Sequence, residues 1–107
     1  MSFLKRYKGK IIAIVSSNCP ACRILKMRVE KDQIMKDRFV FLNVEDNEVA
    51  QLLAEAFGIT EVPSYISVDV KRGKITVCKW DSDMRNIEGC LEVEEEKKRK
   101  RRRKKAT

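Results

Sequence analysis

The most constraining feature of this sequence is a short apolar segment that leads directly into a helical pattern. Residues 10–16 contain a continuous apolar run rich in β-branched residues, as expected for a central strand covered on both faces. Residues 19–31 contain good helix formers, and Pro20 fits a first helical turn, where its missing amide proton costs little. Residues 39–44 favour a second strand, parallel to the first because a helix separates them and right-handed crossovers are usual. The sequence therefore predicts an α/β fold.

A second helix follows the second strand. Asp46 and Asn47 are suitable caps for its start, and Gly58 is a suitable stop. Four apolar residues of this helix share one face, which we expect in the core: Val49, Leu52, Leu53 and Ala56. We also expect Ile34 and Met35 to pack near the end of the first helix.

The remaining pattern predicts a hairpin and a last helix. Residues 64–70 alternate between apolar and polar, residues 71–73 form a turn, and residues 74–80 return as an antiparallel partner. Residues 81–83 offer caps for a helix whose buried stripe is Met84, Ile87 and Leu91. The predicted order is β-α-β-α-β-β-α, with a four-stranded mixed sheet flanked by helices.

The positive charge of the chain is concentrated at its C-terminal end. The net charge is +8, yet nine consecutive basic residues begin at Lys97 and end at Lys105. Without those nine, 15 basic residues face 16 acidic ones, so residues 1–96 have a net charge of −1. The basic run has three readings: non-specific contact with nucleic acid or an anionic membrane surface, recruitment of acidic proteins, or a solvated end.

Several classes of function are excluded or disfavoured by composition. The chain has no His, which excludes Cys-His and Ser-His-Asp nucleophile systems and any His-liganded metal. The longest apolar run, Ile11–Val15, falls far short of the roughly 20 residues of a transmembrane helix. It is also shorter than the apolar region of an export signal, so we expect no transmembrane segment and a cytoplasmic location.

Two cysteines stand one helical turn apart at the predicted start of the first helix. The free backbone amides there and the helix dipole favour thiolate over thiol at Cys19, which we expect to be an accessible nucleophile. It would attack a substrate disulfide, and Cys22 would resolve the mixed disulfide. This chemistry needs no metal and no organic cofactor. The alternative is half of a zinc site, for which Cys78 and Cys90 are the remaining sulfur ligands.

The sequence resembles the thioredoxin superfamily through two motifs in the family's order. The first is Cys19-Pro20-Ala21-Cys22 after a hydrophobic strand, and the second is the segment 58–64, Gly-Ile-Thr-Glu-Val-Pro-Ser, before the hairpin. The resemblance covers residues 8–93 and implies a thioredoxin-like fold. We therefore expect a thioredoxin-like domain at residues 1–93 and a charged helix extension with a basic tail at 94–107.

The resemblance also implies roles for individual residues. It makes Cys19 and Cys22 catalytic, and it gives Pro20, Ala21 and Pro63 a part in shaping the active site. It further implies that the bond between Val62 and Pro63 is cis, that Pro63 lies beside Cys19, and that Val62 and Ser64 bind substrate.

The sequence departs from both main branches of the family. Asn18 stands where thioredoxins usually have Trp, and Ala13 stands where they have a buried acid. Pro20 directly after the first Cys is the glutaredoxin pattern, but the glutathione-binding segments are missing. The chain is therefore identified as a small, divergent thioredoxin/glutaredoxin-like protein.

The function expected is that of a thiol-disulfide oxidoreductase acting as a cytosolic disulfide reductase. The resemblance implies a disulfide-containing protein substrate, and an electron donor that is either a thioredoxin reductase-like flavoprotein or a low-molecular-weight thiol. The alternative is a binding module whose basic tail tethers it to nucleic acid, an anionic membrane or an acidic partner.

Four further residues keep two readings each. Cys78 and Cys90 are small buried apolar residues or, alternatively, a regulatory disulfide. Trp80 closes the edge of the core or borders the active site. Tyr65 packs on the sheet or touches substrate.

Overall fold

The computed structural model describes residues 2–94, and side chains are described for residues 4–93. The strands are β1 (Ile11–Val15), β2 (Phe39–Asn43), β3 (Ser64–Lys71), β4 (Lys74–Trp80) and β5 (Ile87–Glu94). The helices are a 3-10 helix (Ser2–Tyr7), α1 (Pro20–Glu30), α2 (Gln33–Arg38) and α3 (Glu48–Phe57). Apart from Glu94, which ends β5, the helix extension and basic tail predicted for residues 94–107 lie outside the described residues. No helix within residues 2–94 is long and apolar enough to cross a membrane.

The strands form one mixed sheet in the order β2-β1-β3-β4-β5. β1 and β2 are parallel, as predicted from the helix between them, and the other neighbouring pairs are antiparallel. The α/β class is therefore correct, but the sheet has five strands and the prediction of four is wrong.

The error lies in the last segment, where the predicted helix is strand β5. Asp81 does not start a helix. Its carboxylate accepts the amide proton of Arg85 at 2.9 Å and the side-chain amide of Asn86 at 3.2 Å, and its own amide donates to the Asn86 carbonyl. Met84 adopts a positive φ of 57°, which a helix does not tolerate. These contacts close a loop that returns the chain antiparallel to β4.

One face of the sheet packs against α3 and forms the core. Its fully or nearly fully buried residues are Leu4, Ile12, Ile14, Leu42, Ile66, Val68, Ile75 and Val77, together with Ala50 and Leu53 of α3. Asn47 begins α3 by accepting the Ala50 amide at 3.0 Å, and Gly58 ends it with a φ of 63°.

The predicted core stripe of α3 is only partly correct. Leu53 is buried and Val49 is partly buried, but Leu52 is 44% exposed and Ala56 is exposed. Ala50 takes the buried position instead, with no exposed surface. The helix is rotated about its axis relative to the prediction, because the small Ala50 allows a close approach to the sheet.

Helix α1 covers the opposite face of the sheet near β1 and β2. Cys22 and Val29 are its buried residues, and the ammonium of Lys26 lies 5.9 Å from the centre of the Phe41 ring. Beyond α1, Asp32 caps the separate helix α2 by accepting amide protons from Ile34 and Met35. The expectation that Ile34 packs near the end of α1 is wrong, since its side chain is 73% exposed.

Candidate active site

Cys19 is the N-cap residue of α1. Its backbone is extended (φ −132°, ψ 100°), and its sulfur accepts the amide proton of Cys22 at 3.1 Å. Pro20 occupies the first turn, where the prediction placed it, and the carbonyl of Cys19 accepts from the amide of Arg23 at 3.2 Å. The sulfur thus lies at the start of the helix and accepts one of its free amide protons, a position that favours negative charge in the dithiol form.

The four cysteines form two disulfides rather than one metal site. Cys19 is bonded to Cys22, with 5.2 Å between the two Cα atoms, and Cys78 is bonded to Cys90. Across residues 2–94 no group of three or more potential metal ligands comes together. The cysteine arrangement therefore gives no support to the zinc alternative.

The Cys19–Cys22 disulfide is nearly buried. The exposed fraction is 6% for Cys19 and 4% for Cys22, so the expectation of a freely accessible Cys19 is wrong for this oxidised state. The Val62 carbonyl oxygen lies 3.8 Å from the Cys19 sulfur and helps to cover it. A cavity of about 190 Å³ is lined in part by Cys22, and Arg23 and Lys26 contribute to its wall.

The loop that carries Val62 and Pro63 faces Cys19. The bond between these two residues is cis, as the resemblance implies, and the contact of Val62 with the Cys19 sulfur places Pro63 beside the site. Ser64 is 7% exposed and donates its hydroxyl proton to the Glu61 carbonyl at 2.6 Å. Its hydroxyl therefore closes the loop on itself, and this contact is one the sequence did not reveal.

Two neighbouring cavities adjoin this loop. One, of about 170 Å³, is bordered by Pro63, Tyr65 and Trp80, and the other, of about 280 Å³, lies between residues 58–61 and the strands β4 and β5. Both are lined by a shared set of residues: Glu61, Ser64, Lys79 and Glu88. These two neighbouring cavities extend from Pro63 towards the edge strand β5, and we call them together the cleft.

Tyr65 and Trp80 are sheet residues that also border this cleft. Tyr65 is 8% exposed and packs edge-on against Phe39, with ring centres 6.3 Å apart. Burial raises the pKa of Tyr65, and the charge of Arg28 opposes this shift. The indole of Trp80 donates to the Ser67 hydroxyl at 2.9 Å. Both readings of each residue are therefore compatible with its position.

A polar network that the sequence analysis missed anchors the loop before Cys19. Ser17 donates its amide proton to the carboxylate of Glu45 at 3.2 Å, and Asn43 donates to the Ser17 hydroxyl at 3.2 Å. The hydrogen bonds from Ser17 hold the pKa of Glu45 below its ordinary value. The signal was present, because Ser17 follows β1 and Asn43 ends β2, two parallel strands whose carboxyl ends meet at one edge of the sheet.

Ala13 is the residue that the resemblance aligns with the buried acid of thioredoxins. It has no exposed surface and lies between Phe41 of β2 and Tyr65 of β3 in the sheet register. An alanine at this position supplies no carboxylate.

Comparison with known proteins yields no match to a family model, a curated protein or a solved structure.

Proposed function

We propose that this protein is a thiol-disulfide oxidoreductase with a thioredoxin-like arrangement of its active site. The observation that carries the proposal is the position of Cys19, which caps a helix, accepts the Cys22 amide proton and is bonded to Cys22. The cis Val62–Pro63 bond, beside the Cys19 sulfur, supports the same reading. The fifth strand in place of a last helix is a departure from the family's pattern.

The reaction follows from the cysteine geometry. In the dithiol form, the Cys19 thiolate attacks one sulfur of a substrate disulfide, and the other substrate sulfur leaves as a thiolate. Cys22, deprotonated, then attacks the Cys19 sulfur and releases the second substrate thiol. The Cys19–Cys22 disulfide that remains is the state seen in this structure. A flavoprotein reductase or a low-molecular-weight thiol returns the two electrons.

The burial of the disulfide favours an extended peptide as substrate. Because Cys19 is only 6% exposed, a folded protein substrate would contact the loops around Cys19 before it reached the sulfur. We infer that a thin segment approaches Cys19 past Pro63 and pairs with the backbone of Val62, whose carbonyl oxygen lies 3.8 Å from the Cys19 sulfur. We place this reaction in the cytoplasm, where a reducing poise favours the reductase direction.

The test is catalysed reduction of a small disulfide, hydroxyethyl disulfide, and of a disulfide-containing peptide, with dithiothreitol as electron donor. Cys19→Ser is expected to abolish turnover of both, and Cys22→Ser to accumulate a mixed disulfide visible by mass spectrometry. The double variant Cys78→Ser/Cys90→Ser is the matched control and retains turnover of hydroxyethyl disulfide. Full activity in Cys19→Ser would refute the proposal.

A second candidate function is tethering by the basic run. Nine consecutive positive charges from Lys97 to Lys105 favour binding to a polyanion with a strong salt dependence. The test compares the full chain with a chain ending at Glu96, using mixed-sequence duplex DNA and phosphatidylserine vesicles at several salt concentrations. Loss of binding with retained turnover supports a tether, and absence of binding by the full chain refutes it.

A further inference from the structure

The second disulfide is far more exposed than the one at the candidate active site. Cys78 and Cys90 lie directly opposite each other on β4 and β5, with Cα atoms 4.1 Å apart. Cys90 is exposed and Cys78 is partly buried, whereas Cys19 and Cys22 are both buried. Since Ile75 and Val77 point into the core, the alternation of β4 directs Cys78 to the opposite face.

This disulfide joins an edge strand to the rest of the sheet. Within the described residues β5 pairs with β4 alone and is the last strand of the sheet. Its apolar side chains bury little surface, because Ile87 is 51% exposed and Leu91 is 40% exposed, while Val93 is partly buried. The hydrogen bonds to β4 and the covalent link are therefore the main forces that hold β5 in place.

The same strand forms one wall of the cleft beside Pro63. Glu88 and Gly89 line the larger cavity, and Glu88 is ion-paired with Lys79 of β4, which also lines it. The pairing register shifts between Lys79 and Trp80, at the point where β5 meets the cleft. Any loosening of β5 therefore changes the wall of the cleft.

We propose that Cys78–Cys90 is a second thiol-exchange site, attacked at Cys90, whose reduction releases β5 from β4 and opens the cleft. In the first step the thiolate of an external dithiol forms a bond to the Cys90 sulfur, and the Cys78 sulfur leaves as a thiolate. The second thiolate of the dithiol then attacks the dithiol sulfur that is bonded to Cys90, and the Cys90 sulfur leaves as a thiolate. The dithiol is oxidised to its disulfide, and two electrons and two protons reach Cys78 and Cys90.

Order of reduction is the first test. The oxidised full chain is treated with limiting dithiothreitol, quenched at intervals with an alkylating reagent and mapped by peptide mass spectrometry. We expect Cys78 and Cys90 to be labelled before Cys19 and Cys22. Earlier labelling of Cys19 and Cys22, or a non-reducing map without the Cys78–Cys90 bond, would overturn the proposal.

Release of β5 is the second test. The short Cα distance makes Cys78 and Cys90 a non-hydrogen-bonded pair, so the neighbouring Val77 and Leu91 form a hydrogen-bonded pair. We expect the Leu91 amide to exchange about tenfold faster or more after reduction, while amides of β1 change little. An unchanged Leu91 exchange rate would contradict the inference.

A cysteine-depleted background separates this inference from the proposed function. Cys19→Ser/Cys22→Ser has lost the proposed catalytic pair, so it reports on Cys78–Cys90 alone. In this variant reduction is expected to accelerate exchange at Leu91 as in the full chain. The matched variant Cys78→Ser/Cys90→Ser should show fast exchange at Leu91 whether or not dithiothreitol is present. Slow exchange at Leu91 in this variant would refute the proposal that the Cys78–Cys90 disulfide holds β5 on β4.

Discussion

Two neighbouring leucines of α3 provide a sharp test of how this helix packs. Leu53 is 4% exposed and belongs to the core, whereas Leu52 is 44% exposed. Replacement by Ala removes the same atoms from both positions on the same helix. The difference between the two variants therefore measures burial, with helix propensity held constant.

The expected losses follow from the burial of each side chain. Leu53→Ala removes three buried carbons, which at about 0.8 kcal/mol each is about 2.4 kcal/mol, and the cavity raises the loss to roughly 3 kcal/mol. Leu52→Ala removes carbons that are just over half buried and leaves no closed cavity, so we expect about 1.3 kcal/mol. The free energies of unfolding should differ by about 2 kcal/mol.

The measurement is equilibrium urea unfolding of both variants beside the unaltered chain, under oxidising conditions that keep both disulfides. The transition midpoints should move while the slopes of the free energy against urea stay equal. Equal losses at the two positions would refute the orientation of α3 described above. A larger loss at Leu52 would restore the helix face predicted from the sequence.

Three further predictions concern single positions. Gly58→Ala should destabilise the protein by about 1 kcal/mol in urea unfolding, because the φ of 63° is unfavourable for Ala. The added Cβ itself meets no atom within 4 Å, so backbone strain is the cause, and Gly58→Asn should cost less. Glu45 has a lowered pKa, so its contribution to stability is present above its ordinary value of 4.5 and is lost as pH falls through the lower folded value. In thermal unfolding measured across pH, Glu45→Gln should reduce this loss of stability at acid pH. An unchanged loss would exclude the hydrogen bonds from Ser17 to Glu45 as its cause. Tyr65 has a raised pKa, so stability should fall as pH rises above its ordinary value of 10.0, and Tyr65→Phe should weaken that fall. Ultraviolet titration of the folded protein should show delayed ionisation of one of its two tyrosines.

Local signals predicted much of the candidate site. Pro20 after Cys19 is a local helix-start signal, and the structure places Cys19 as the cap of α1. The loop containing Val62 and Pro63 was matched through a motif, and it lies against Cys19 in space. The polar network at Ser17 was missed, because it joins residues from the ends of two different strands.

The largest error, at residues 81–94, has a physical cause. Asp81 suits a helix cap and a loop equally well, and the apolar spacing of Ile87 and Leu91 fits a helix face. The strand forms because β4 presents unpaired backbone groups, and pairing with them fixes Cys90 opposite Cys78. The periodicity of a segment does not show whether the folded sheet offers an unpaired strand edge with which that segment can pair.

The sequence by itself determined the elements whose causes are local: the strands β1 and β2, the start of α1 at Cys19 and Pro20, and the end of α3 at Gly58. Tertiary structure alone decided the near-burial of Cys19 beneath the Val62 carbonyl and the fastening of β5 by its disulfide. Caps and periodic patterns act within a few residues of each other. Burial and strand pairing depend on which distant segments meet, and only the folded chain fixes those neighbours.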